Sequence, residues 1–181
     1  FFTKEELDGL FHHNQFDYRE MIVRSFYELH ASLTELADLK LKDFNQANSS
    51  FALRGVKIPC SERLSVLCRA YLKSQRELIL NQAFYSPQID DCFFIKEDAS
   101  TNGDNKLQHL ELSEIIRSYD LSLNKIKRSR IINLIKDGKT DEEIFDLLGV
   151  KISNFYDQFK PKQNYRLLKA YADFHPRSNK K

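Results

Sequence analysis

Residues 121–136 hold five cations, Lys125, Lys127, Arg128, Arg130 and Lys136, and no carboxylate. Side chains of this kind suit phosphate oxygens: the planar guanidinium fork binds two at once, and lysine acts as a mobile point charge. Such contacts give affinity for a nucleic acid without reading its sequence. The plain alternative is a solvated helix face. Phe155-Tyr156 reads most simply as a packing pair. His12 and His13 are adjacent, so on a helix they point in different directions, and no cysteine or carboxylate stands at a useful spacing. Cys60, Cys68 and Cys92 are odd in number and lack C-x-x-C spacing, which argues against a disulfide framework and a zinc site and for unpaired thiols. No metal and no cofactor is expected. Glu35 and Asp38 lie on one helix but frame no definable pocket, and are read as structural.

Net charge is distributed unevenly along the chain. Residues 1–120 carry 14 Lys/Arg against 19 Asp/Glu, whereas residues 121–181 carry 14 against 7, although the whole chain is only +2. A basic C-terminal third is what a protein needs if one face meets a polyanion. With 181 residues and 41% hydrophobic content, the expectation is one compact domain over residues 1–181. No run approaches the roughly 18 apolar residues of a membrane span, and the Phe1-Phe2 start lacks the basic and apolar regions of a signal peptide. The reading is cytoplasmic, with no membrane partner.

The elements that must position these side chains are mostly helices. Thr3 and Glu6 form a capping-box pattern opening a short helix through Leu7 and Leu10. A second helix starts near Tyr18, with the stripe Met21, Ile22, Phe26, Leu29 and Leu33. A short helix carrying Leu36 and Leu39 precedes a turn at Asn48-Ser49-Ser50 and a hairpin over residues 51–58 turning at Arg54-Gly55, closed by Pro59. Leu64, Leu67, Cys68, Tyr71, Leu78 and Ile79 predict a long amphipathic helix, and residues 98–104 are loop-like. Further helices centre on Ile115-Ile116 and on Ile131, Leu134 and Ile135. Another runs from Thr140, boxed with Glu143, to a stop at Gly149, and a last one holds Leu167, Leu168 and Tyr171. The fold class is mainly α with a small antiparallel β-hairpin or sheet. Residues 131–156 also fit a helix-turn-helix, which predicts the same helices and differs in the face that meets DNA.

Four segments resemble the catalytic domain of tyrosine recombinases of the phage-integrase and Xer type. Phe2-Thr3-Lys4-Glu5-Glu6-Leu7 is similar to the start of such domains. The stretch Thr34-Glu35-Leu36-Ala37-Asp38-Leu39 through Phe44 resembles the helix after the family's first catalytic arginine. Leu134-Ile135-Lys136-Asp137-Gly138 and then residues 144–149 resemble its "LL-x-x-G…I-x-x-LLGH" segment. Arg166-Leu167-Leu168-Lys169-Ala170-Tyr171, with Phe174-His175-Pro176-Arg177, is similar to the family's C-terminal helix and tail.

The resemblance implies a chemistry in which a tyrosine attacks a DNA phosphate while arginines, histidines and a hairpin lysine stabilise the transferring group. It also implies that this chain lacks the parts. Ser32 stands at the first arginine, Asn124 at the first histidine of "H-x-L-R-H", Lys127 at its arginine and Arg128 at its last position. Val150 replaces the histidine of "LLGH", and Phe159 falls at the nucleophile. The hairpin lysine is unassigned between Arg54 and Lys57. The expectation is therefore a catalytically degenerate, DNA-associated protein with Lys125, Lys127, Arg128, Arg130 and Lys136 against double-stranded DNA. Two alternatives stand beside it. One is an interaction module in which Leu167, Leu168, Tyr171 and Phe174 of the 160–181 helix and tail contact a second copy or an active recombinase. The other is a divergent recombinase using Tyr156.

Overall fold

The computed structural model describes residues 1–11, 15–78, 91–96 and 106–152. Among them are seven α-helices and a three-stranded sheet, the predicted fold class. Thr3 caps α1 (Lys4–Asp8) through the expected box with Glu6, but the helix stops at Gly9, so Leu10 lies beyond it and is exposed.

Helix α2 (Tyr18–Glu28), capped by Asp17, is the centre of the molecule. The sequence predicts an apolar stripe. The structure instead buries almost every residue from Met21 to Glu28, because α3 (Leu33–Asp38), α4 (Glu62–Ala70), α5 (His109–Arg117) and α6 (Leu123–Lys136) all pack on it. Full burial is compatible with Glu20, Arg24 and Glu28 because each is paired. Glu20 accepts from Arg24 Nε at 2.7 Å and from Arg63 Nη2 at 2.6 Å; Arg24 Nη1 reaches Asp8 at 2.7 Å. Glu28 accepts from Ser61 N and Oγ at 2.7 and 2.6 Å, which ties the end of α2 to the N-cap of α4. Burial pushes the Glu20 carboxyl up, but hydrogen bonds and charge from Arg63 and Arg24 outweigh it and hold the group below its ordinary range.

Strands β1 (Phe44–Asn45), β2 (Ser50–Leu53) and β3 (Val56–Pro59) form an antiparallel sheet in that order, with Phe44 opposite Phe51 and Phe51 opposite Ile58. The first strand was not legible in the sequence, since two residues are too short for alternation to register. Arg54 and Gly55 join β2 to β3 with φ of 53° and 75°, the left-handed pair that a two-residue hairpin loop requires. Phe44, Phe51, Phe93, Phe94 and Tyr71 interlock on the inner face of the sheet, with centroid separations down to 4.8 Å. The helix that starts as α4 continues through a π-helical turn over Tyr71–Gln75, which leaves Tyr71 fully buried, its oxygen accepting from Ile95 N. Helix α7 (Asp141–Leu148) has the expected Thr140/Glu143 box and ends at Gly149 with φ 67°, packed on β3.

Candidate nucleic-acid interface

Three elements meet at the tip of the β2–β3 hairpin. Arg54 donates from Nη2 to the Leu29 carbonyl at 2.7 Å, from Nη1 to Glu35 at 3.0 Å and from Nε to the Leu148 carbonyl at 2.7 Å. One guanidinium thus joins the end of α2, the first turn of α3 and the end of α7. The contact is close: a Cβ added at Gly149 would sit 3.1 Å from Arg54 Cβ. Lys57, the other hairpin cation, is exposed on β3 opposite Ala52.

The same region holds several positions singled out in the sequence. Ser32 is the N-cap of α3; its Oγ accepts from Glu35 N at 3.1 Å, and its own N–H donates to Glu35 Oε2 at 2.7 Å. Glu35 thereby serves both the cap and Arg54. Burial pushes its carboxyl up, but the Ser32 and Arg54 hydrogen bonds win and hold it below its usual range. Lys127 projects from α6 toward this region, half-buried, with Nζ 5.8 Å from the centroid of the Phe26 ring. Desolvation lowers its pKa, with the Glu35 charge opposing and the Arg54 charge adding to the effect. Val150 follows Gly149 and is half-buried, and Asn124 is exposed in the first turn of α6.

His30 belongs to this cluster and was not found from sequence. It closes the turn after α2 with φ 49°, and its Nδ1 is buried without a partner. Burial, reinforced by the charges of Lys127, Arg54 and Arg130, pushes its pKa down to about 3, so the ring is neutral at pH 7. No local spacing marks it: a histidine between Leu29 and Ala31 has no partner within the reach of the helix period.

The five cations grouped by sequence are spread around α6. Lys127 faces the Arg54 region. Lys136 Nζ lies 4.3 Å from the Phe1 ring centroid, and Lys125 and Arg128 lie toward the same side of α6. Arg130 Cζ sits 5.4 Å from the centroid of the Tyr27 ring, and Arg130 lines the same groove as Lys136. The split follows from helix geometry, because positions 127 and 128 are about 100° apart around an α-helix. Phe159, Tyr156, Leu167, Leu168, Tyr171 and Phe174 lie outside the described residues, as do His12, His13 and the predicted loop at 98–104.

All three cysteines are free, with Cys68 and Cys92 buried. Among the described residues no group of His, Cys, Asp or Glu could hold a metal ion, and no helix is long and apolar enough to cross a membrane.

No family model matches this sequence, and no curated protein does. A solved structure, the crystal structure of XerA recombinase, is similar to it with a TM-score of 0.67 at 17% sequence identity. The likeness covers 98% of this chain and 66% of that one, so this chain spans a little under two thirds of the recombinase's length. The mainly helical architecture with its small antiparallel sheet is a tyrosine-recombinase catalytic-domain-like fold.

Proposed function

We propose that this chain associates with double-stranded DNA on a recombinase-like fold without cleaving it, in an accessory, regulatory or architectural role. The observation that carries the reading is the commitment of the region around Ser32. Where the family has its first arginine, a serine caps a helix, and the neighbouring guanidinium of Arg54 is taken up by Glu35 and two backbone carbonyls. Val150 adds an apolar side chain where the resemblance calls for a histidine, and Phe159 has no oxygen with which to attack phosphorus. Removing one charged donor from a transition state typically costs several kcal/mol, so strand cleavage without these groups is not expected.

Lys127, on the side of α6 that faces the Arg54 region, is the leading phosphate contact, and Lys125 and Arg128, on another side of the same half of the helix, add cations beside it. Arg130 and Lys136 sit in a separate groove and are set aside from this interface. The test combines trapping and binding. Incubated with nicked suicide duplexes, the protein is expected to leave no covalent adduct on a denaturing gel while binding the same duplex at low salt. The triple variant Lys125→Ala, Lys127→Ala, Arg128→Ala should lose that binding. A trapped adduct would overturn the non-catalytic half of the proposal, and binding unchanged in the variant would overturn the interface.

A further inference from the structure

The groove between α1, α2, the start of α4 and α6 has a volume of about 510 Å³, within the size range of small-molecule sites. Four cations line it from three helices: Lys4 of α1, Arg24 of α2, and Arg130 and Lys136 of α6. Carboxylates share the lining but are disposed differently. Glu28 is buried and occupied by Ser61, and desolvation raises its pKa. Glu5 and Asp137 are exposed.

Two guanidinium groups of this wall hold a buried donor without a protein partner, Arg24 Nη2 and Arg130 Nε. Arg24 is 2% exposed, and its other donors are committed to Glu20 and Asp8. Native folds rarely leave such donors unmatched, and two in one cavity wall point to an acceptor, water or anion, in the groove. A guanidinium with two flanking ammonium groups suits a phosphate dianion, which offers three acceptor oxygens. The exposed carboxylates Glu5 and Asp137 repel an extended polyanion while leaving room for one compact anionic group.

We propose that this groove binds a small phosphomonoester, at a site independent of the DNA interface. The cavity, enclosed by four elements, admits a terminal phosphate with its polar body. A duplex backbone is a convex track that cannot enter it.

The experiment is a ¹H–¹⁵N NMR titration of the full chain with inorganic phosphate and with a nucleoside 5′-monophosphate, using the unphosphorylated nucleoside as control. Saturable shifts are expected around residues 3–7, 24–28, 59–61 and 130–137, with none from the nucleoside. Arg130→Gln should weaken binding at least tenfold, and Lys127→Gln should leave it unchanged. If Arg130→Gln fails to fold, the exposed double variant Lys4→Gln, Lys136→Gln carries the same expectation. Shifts scattered over surface lysines without saturation would overturn the proposal, as would unchanged affinity in the groove variants. Displacement of the monophosphate by a blunt duplex lacking terminal phosphates would also overturn it, by assigning the groove to the DNA backbone. Loss of DNA binding in Lys127→Gln with monophosphate binding intact keeps the two sites separate.

Discussion

One cluster of charge is centred on Glu20 in the first turn of α2 and another on Arg54 at the end of that helix, and they differ in how completely they are neutralised. Around Glu20, the cations Arg24 and Arg63 are met by Glu20 and Asp8, and the Glu20 and Arg24 side chains are 0% and 3% exposed. Around Arg54, one carboxylate, Glu35, faces Arg54, Lys127 and a histidine that stays neutral. The first cluster pairs its buried charges with carboxylates of its own, which is what a structural ion network requires. The second has an unmatched cation at a half-exposed position, and half-exposed excess charge is what a polyanion can use.

The sharpest way to break this contrast is to remove the centre of the first cluster. Glu20→Ala leaves the buried Arg24 with Asp8 alone and takes the carboxylate from Arg63, and is expected to cost about 3–5 kcal/mol in urea unfolding. A cost under about 1 kcal/mol would mean that the network is solvated. Arg54→Ala removes three hydrogen bonds that join α2, α3 and α7, with an expected loss of about 2–3 kcal/mol. Its stability effect should far exceed that of Lys127→Gln, which relieves a desolvated charge.

The pH dependence sharpens the contrast further. His30 has a folded pKa near 3, below its value in the unfolded chain, so the unfolded state binds more protons between those limits. The contribution is fully present above about pH 6.5 and is lost as the pH falls toward 3. Between pH 6.5 and 5 the loss should be about 2 kcal/mol. His30→Asn, which tolerates the left-handed backbone at this position, should flatten that part of the stability profile. An identical slope in wild type and variant would show that His30 is protonated in the fold.

Much of the scaffold was legible because its signals are local. The Thr3 and Thr140 boxes, the Arg54-Gly55 turn and the Gly149 stop each act within a few residues, and each appears where backbone chemistry requires it, whereas the Ser32–Glu35 box, equally local, was not read. The buried ladder on α2 was not read, because Glu20, Arg24 and Glu28 at four-residue spacing look like an exposed face until partners arrive from Asp8, Arg63 and Ser61. The site was legible only in its parts. Lys127 and Ser32 are named by resemblance, but the bond from Arg54 to Leu148 spans 94 positions, and no window of sequence contains both ends. Lys136, further along α6 than Lys127 by about two and a half turns, falls on the far side of the helix, a rotation that a window of sequence does not register.

The most direct test of the central claim is fluorescence anisotropy of a random-sequence duplex with wild type and Lys127→Gln across a series of salt concentrations. Wild type should bind at low salt and lose affinity steeply as salt rises, with the variant weaker and its log–log slope shallower by about one contact. No binding by wild type, or a variant with unchanged affinity and slope, would contradict the assignment of this half-buried cation to a DNA-facing role.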